Sequence, residues 1–230
     1  THSKVMAWAG VDRAVRSVED QRLDGPVGRW RGLRDEIHHD VCANGFDLER
    51  NTFTQSYGSD ELDAALLLIP RVGFLPWDDP RVAGTVDAVQ AGLSEDGLVL
   101  RYRPEKTDDG LPGSEGVFLA CSFWLADALA GLGRTRQATD LFERLLGLRN
   151  DVGLLSEEYD AANHRHLGNT PQAYSMVGLI NTARQLRGAR TTTSAYPQDQ
   201  DLSLASDLAY PPGVDPGRKG QPTYGHLYSR

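Results

Sequence analysis

The segment GVFLACSFWLADALAGL, residues 116–132, is apolar on nearly every side when it is drawn as a helix. A helix of this character needs other elements to cover it on several sides. A short turn, Gly131-Leu132-Gly133, ends it and leads into a second helix at about 134–148. The segment therefore predicts an enclosed helix in an all-α fold. Its large side chains are Phe118, Leu119, Phe123, Trp124, Leu125 and Leu129.

Five more helices are predicted around this pair, because apolar residues recur at every third or fourth position. They cover about residues 5–23, 30–44, 59–73, 80–93 and 171–186. Ser59 is expected to cap the third helix of the chain, and Pro80 suits the first turn of the fourth. The inward faces of the second and seventh helices are predicted to consist of Trp30, Leu33, Ile37 and Val41 and of Ala173, Val177, Ile180 and Ala183.

The connections between these helices are alternately long and short. Residues 44–58, 96–114 and 150–170 form long Gly-, Asp- and Pro-rich loops, whereas packed helices are usually joined by about two to eight residues. Long loops at one end of repeated helix pairs are typical of an α/α toroid, whose loop rim carries a site. Residues 1–188 are therefore predicted to form one domain, and residues 189–230, which lack apolar periodicity, a disordered tail.

The composition argues against several classes of partner. The chain has 230 residues, a formal charge of −8 and basic residues scattered among acids, so nucleic acid is not an expected partner. No run approaches the roughly 18 apolar residues of a membrane span. Residues 1–4 lack the regions of a signal peptide, and we expect a cytoplasmic protein whose chain starts here inside a domain. Cys42 and Cys121 are expected to be small buried hydrophobes.

A loop near the end of the domain, GLLSEEYD at residues 153–160, places two carboxylates side by side. Hydrolysis of a glycoside needs one carboxylic acid to protonate the leaving oxygen and one carboxylate to act as base or nucleophile. Because adjacent side chains diverge, this loop can supply only one of the two groups. Taken alone, the octet is more typical of a solvated acidic loop.

Four stretches together give a more specific signal. They are THSKVMAWA at 1–9, FTQSYGSDELD at 53–63, RY at 101–102 with GSEGVFLACSFW at 113–124, and GLLSEEYD at 153–160 with LGNTPQAYS at 167–175. In this order they resemble glycoside hydrolase family 15, over about 188 residues. The resemblance implies a six-hairpin (α/α) barrel of twelve helices. This chain would supply about seven of them, a partial barrel whose partner is the missing N-terminal half of the same domain.

The resemblance also implies an inverting mechanism and assigns the catalytic residues. The general acid of the family lies in a Trp-Glu motif before the segment matched by residues 1–8, and no residue here corresponds to it. Glu157 matches the general base, and Glu158, in the neighbouring position, is the second choice. Ser156 departs from the family pattern, in which many members have proline.

Four further residues are candidates for contact with the sugar. Arg101 resembles an arginine that donates hydrogen bonds to glucose hydroxyls, and the alternative is a surface pair with Glu105. Glu115 either lines the sugar site or caps the following helix, whose N-terminus favours an anion. Tyr57 and Trp8 either form apolar walls on which the sugar stacks or pack in the core, and core packing is the stronger expectation.

Two pairs of histidines, His38 with His39 and His164 with His166, are the candidates for metal ligands. No carboxylate or cysteine completes a recognised ligand spacing, and the resemblance requires no metal from these residues. We therefore expect neither a metal site nor a cofactor.

The resemblance implies an exo-acting α-glucosidase of the glucoamylase type, which removes glucose from the end of an oligosaccharide with inversion. Hydrolysis of the disaccharide α,α-trehalose is the alternative within the class, because the two activities differ mainly in a leaving-group subsite that the missing helices help to form. An alternative of another class is a non-catalytic helical fragment that serves as a binding or scaffold module. Without the upstream acid, we expect residues 1–230 alone to be inactive.

Overall fold

The computed structural model describes residues 1–103 and 116–189, which are mostly helical. The α-helices are α1 (His2–Gln21), α2 (Val27–Asn44), α3 (Pro80–Leu93), α4 (Leu119–Gly131), α5 (Thr135–Gly147) and α6 (Ala173–Ala189). The strands are β1 (Phe46–Asp47), β2 (Thr52–Phe53), β3 (Ser94–Glu95), β4 (Leu98–Val99), β5 (Val117–Phe118), β6 (Glu158–Asp160) and β7 (Arg165–Leu167). A short 3-10 helix, Ala64–Leu68, precedes α3.

The helix α4 is buried along nearly its whole length. It contacts α3, α5, α6, the 3-10 helix and β4, so it is covered from several directions. The prediction of an enclosed helix is therefore confirmed. Its buried hydroxyl, on Ser122, accepts a hydrogen bond from the N–H of Val99 at 2.9 Å and joins β4 to the helix.

The predicted bounds are most accurate where the sequence has strong end signals. The predicted helix 80–93 is α3, Pro80–Leu93, and the carboxylate of Asp79 caps it by accepting a hydrogen bond from the N–H of Arg81 at 2.9 Å. A proline at the first turn costs nothing because that N–H would have no partner inside the helix. The helix α5 differs from its predicted bounds by one residue at each end.

The third predicted helix, residues 59–73, is wrong in type and length. The structure has only the five-residue 3-10 helix Ala64–Leu68, which Asp63 caps in place of Ser59. The hydroxyl of Ser59 accepts from the N–H two residues later at 3.0 Å and makes a separate turn. Pro70 prevents an α-helix from continuing, because it lacks an N–H and its ring clashes with the carbonyl four residues earlier.

The predicted inward face of α6 is wrong, and that of α2 is right only in part, since Val41 is in the core and Ile37 packs against it. On α2, Leu33 is 41% exposed and only Val41 is buried, because this helix packs mainly on α1. On α6, Val177 and Ile180 are 53% and 54% exposed. The face of α6 that packs on α4 and α5 carries Ser175, Gly178, Thr182 and Leu186.

The predicted long loops contain short antiparallel strands. The strands β1 with β2 and β3 with β4 form two-stranded ladders, and β5, β6 and β7 form a three-stranded sheet in that order. In the sheet, Phe118 pairs with Glu158 and Tyr159 pairs with His166. The sheet therefore joins the segment that enters α4 to the acidic octet. Strands of two or three residues are too short to show an alternating pattern.

Three other predictions concern burial and location. Cys121 is buried, as predicted, whereas Cys42 is half-buried with its Sγ 3.9 Å from Nδ1 of His38. In the described ranges no helix is long and apolar enough to cross a membrane. The predicted tail at 189–230 lies outside the described residues, apart from Ala189 at the end of α6.

Candidate active site

The backbone of Glu157 lies between the start of α4 and the connection from β7 to α6. Its carbonyl accepts a hydrogen bond from the N–H of Leu119 at 3.1 Å, and its N–H donates to the carbonyl of Asn169 at 2.9 Å. The core and the last connection therefore fix this residue from both sides.

The carboxylate of Glu157 is held through one of its two oxygens. Its Oε2 accepts from the backbone N–H of Asn169 at 3.1 Å and from Nδ2 of the same residue at 2.9 Å. Gly168 makes this approach possible, because its φ is +69° and a Cβ there would lie 2.9 Å from Oε2. Any side chain at position 168 would displace the carboxylate or the turn.

Ser156 fixes the loop at the position where many family 15 members have proline. It is fully buried, and its Oγ lies 2.6 Å from both the carbonyl oxygen of Glu158 and Nδ1 of His166. Its own carbonyl accepts from the hydroxyl of Ser175 on α6 at 2.7 Å. A proline ring would restrict the backbone at this position. Here the hydrogen bonds of the Ser156 hydroxyl and carbonyl hold the backbone instead.

The neighbouring acid, Glu158, has a different environment. Its Oε2 accepts from the backbone N–H of Gly116 at 2.9 Å, just before β5. The two adjacent carboxylates thus diverge, one towards Asn169 and the other towards the entry to α4. Both carboxylates therefore accept hydrogen bonds, from different segments of the chain.

Arg101 lies after β4, close to the sheet that contains the acidic octet. It is exposed, and its guanidinium lies 5.0 Å from the ring centroid of Tyr102. Its carbonyl accepts from the N–H of Ala64 at 2.8 Å, which fixes the backbone on the 3-10 helix. The strand β5 contacts β4, which precedes Arg101, and pairs with β6, which follows Glu157.

Trp8 and Tyr57 lie in the region formed by α1 and α2. Trp8 is 6% exposed and meets Phe74 edge to face with centroids 5.1 Å apart, which favours core packing over a sugar wall. Tyr57 is half-buried and donates from its hydroxyl to Oδ2 of Asp40 at 2.9 Å, while Nζ of Lys4 lies 4.3 Å from its ring centroid. One face of the Tyr57 ring is therefore occupied by a cation.

The remaining predicted sites are a carboxylate and the histidines. Glu115, the fourth candidate for sugar binding, lies outside the described residues, as does Glu105. In the part of the chain that the structure describes, no group of three His, Cys, Asp or Glu could hold a metal ion. His38 packs against the ring of Phe74 at 4.6 Å, and His166 is bonded to Ser156.

The contact that sequence reasoning did not find is Asn169. It lies inside the stretch LGNTPQAYS, where a Gly-Asn pair before Thr-Pro predicts a turn. An asparagine in a turn can offer its amide to a nearby acceptor. The acceptor is 12 residues earlier, so the partner becomes visible only when the chain is folded.

Comparison with known families decides the assignment of the chain. Residues 1–184 match the model of the glycosyl hydrolases family 15. The chain belongs to this family. The four stretches that carry the resemblance all fall within the matched residues.

Curated relatives within the family share substantial identity with this chain. The trehalase of Mycobacterium tuberculosis is 49% identical over 181 residues, which are 79% of this chain and 26% of that protein. The trehalase of Thermoplasma volcanium is 42% identical over 189 residues, which are 82% of this chain and 30% of that protein. The chain therefore spans between about a quarter and a third of the length of these relatives.

Solved structures also resemble the chain. A glycosidase in complex with glucose has a TM-score of 0.67 and 22% identity, and covers 82% of this chain and 52% of its own length. A wild-type glycosidase has a TM-score of 0.66 with the same identity and coverage. At this identity the likeness concerns the fold.

Proposed function

We propose that this chain forms part of a family 15 enzyme that hydrolyses α,α-trehalose with inversion, and that Glu157 is its general base. The observation that carries the substrate is the naming of the relatives, since proteins 42% and 49% identical to this chain are trehalases. This favours the trehalase alternative over the glucoamylase activity that the resemblance implied. Because the matches span 181 and 189 of the 230 residues, they include position 157.

The geometry suits Glu157 to act as a base. One oxygen of its carboxylate has two donors, both from Asn169, and the backbone on both sides is fixed. In the proposed reaction the other oxygen takes a proton from a water molecule that attacks the anomeric carbon. A carboxylic acid from another part of the enzyme protonates the leaving oxygen, and Arg101 donates to glucose hydroxyls near the cleaved bond.

We also propose that the chain is the C-terminal half of the (α/α) barrel. Exposed apolar side chains occur on both the first and the last helix pairs of the chain, with Leu33 on α2 and Val177 and Ile180 on α6. The helix between them, α4, is enclosed. This distribution is expected if α2 and α6 are the edges of an open array that the N-terminal half closes.

The test uses the full-length enzyme and follows the anomers that it releases from trehalose. Inversion at one of the two α-linked carbons yields one β-glucose and one α-glucose, and proton NMR in the first minutes distinguishes them before mutarotation. Only α-glucose as the initial product would show retention and overturn the proposal. Faster hydrolysis of maltose than of trehalose would instead support the glucoamylase type, and hydrolysis of neither would support a binding or scaffold role.

A further inference from the structure

The hydrogen bonds of the Glu157 carboxylate are unevenly distributed. Within the described part of the chain, its side chain accepts two hydrogen bonds, both from Asn169 and both at Oε2, at 3.1 Å and 2.9 Å. Among the described residues, no donor contacts Oε1. A carboxylate can rotate to present either oxygen, and donors on only one of them select a single orientation.

We propose that Asn169 is the positioning residue of the general base and that it leaves Oε1 as the oxygen that accepts the proton. This inference rests on the proposed function of Glu157. In the step concerned, an O–H bond of water breaks and its proton goes to Oε1. The water oxygen bonds to the anomeric carbon, and the bond from that carbon to the leaving oxygen breaks. The leaving oxygen takes its proton from the carboxylic acid that the rest of the enzyme supplies.

The surroundings of Asn169 support a positioning role. The carbonyl of Asn169 accepts from the N–H of Glu157 at 2.9 Å, so the two residues are joined through backbone as well as side chain. Gly168 leaves room for the carboxylate, and the hydroxyl of Ser156, the residue before Glu157, donates to the carbonyl of Glu158, the residue after it. The amide of Asn169 thus acts on a carboxylate whose backbone is already held, and its main effect is on the rotation of that group.

The experiment measures kcat and KM for trehalose in full-length enzymes that carry Asn169→Ala or Asn169→Asp. Asn169→Ala keeps the backbone donor and loses the amide, and kcat is expected to fall about 10–100-fold while KM changes less than about twofold, because a misplaced group slows the chemical step. Asn169→Asp has nearly the same shape but sets a second carboxylate against Oε2, so kcat should fall further.

Asn163→Ala is the matched control, since Asn163 donates to the carboxylate of Asp160 at 2.8 Å in the neighbouring turn. Its kcat should stay within about twofold of the wild type.

A double substitution separates positioning from general loss of structure. If Asn169 acts through Glu157, then Asn169→Ala added to Glu157→Gln should lower kcat no further, since the group that it positions can no longer act as a base. The positioning role is overturned if the kcat losses of the two single variants multiply in the double variant, or if Asn169→Ala leaves kcat unchanged. Either result would leave Glu157 as the base. If Glu157→Gln itself keeps wild-type turnover, the proposed function fails and this inference fails with it.

Discussion

The hydroxyl of Ser156 donates its single proton to the carbonyl of Glu158 and accepts from Nδ1 of His166, each at 2.6 Å. A carbonyl oxygen can only accept, so the hydroxyl proton must point to it. The proton on the second hydrogen bond therefore belongs to Nδ1 of His166. With this arrangement the Ser156 hydroxyl holds the backbone of Glu158 and the ring of His166 together, and it stabilises the loop that contains Glu157.

Removal of the Ser156 hydroxyl should destabilise the fold. Ser156→Ala leaves the carbonyl of Glu158 and Nδ1 of His166 without this partner next to a fully buried position, and an unsatisfied buried polar group costs about 1–3 kcal/mol. Ser17→Ala is the control, because Ser17 makes one exposed hydrogen bond to the carbonyl of Arg13. Urea unfolding should show a clear loss for the first variant and a change within about 0.5 kcal/mol for the second. Equal losses would refute the assigned network.

The two adjacent acids should differ sharply in their effect on turnover. Glu157→Gln in the full-length enzyme is expected to lower kcat by about 10²–10⁴-fold with little change in KM, because a base acts in the transition state. Glu158→Gln keeps an oxygen that can accept from the N–H of Gly116, so we expect less than about a tenfold loss. Steady-state kinetics on trehalose and maltose measure both. A larger loss at Glu158 would exchange the two roles.

Buried Asp127 should make stability depend on pH. Burial raises the pKa of Asp127 above its usual value of 3.8, although Arg71, whose Nη1 lies 2.8 Å from its Oδ2, acts in the opposite direction. The folded state then holds the proton to a higher pH than the unfolded state. The protonated carboxyl therefore stabilises the fold fully at a pH below the pKa of Asp127 in the unfolded state. This stabilisation is lost as the pH rises through the pKa of Asp127 in the folded state.

Asp127→Asn tests this dependence directly, because it removes the titrating group and keeps a polar side chain of the same shape. Urea unfolding of wild type and variant should be compared from about pH 4 to about pH 7. The free energy of unfolding of the wild type is expected to fall relative to that of the variant as pH rises. Parallel curves would show that Asp127 does not titrate differently in the folded state.

The sequence predicts the elements whose signal is local. An all-round apolar segment became the enclosed helix α4, and the Asp79-Pro80 start signal gave α3 its bounds. The inward faces of α2 and α6 could not be chosen in the same way, because their exposed apolar residues have a periodicity that fits a buried face equally well. Which face is buried depends on the neighbouring helices.

In the candidate site, the sequence can point to a residue but does not predict its tertiary contacts. The family resemblance could point to Glu157 as the candidate base, since the residue type and its neighbours lie in one stretch of sequence. The contact of its Oε2 with Asn169 could not be predicted, because it depends on a turn 12 residues later and on the small size of Gly168. Arrangements of this kind follow from tertiary structure.

A last prediction concerns the packing of α3 on the turn between β1 and β2. A Cβ at Gly84 would overlap the carbonyl oxygen and the side-chain amide of Asn51, while the neighbouring Thr85 accepts from the N–H of Phe53 at 3.0 Å. Alanine favours a helix over glycine by about 0.5–1 kcal/mol, but overpacking costs about 1–3 kcal/mol when backbone must move. Gly84→Ala should therefore lower the free energy of unfolding.

Gly10→Ala is the control, since Gly10 lies inside α1 with no atom within 4 Å of an added Cβ, and it should stabilise the fold. Urea unfolding of both variants measures the two effects, and a stabilised Gly84→Ala would mean that the turn can move away from α3 at little cost.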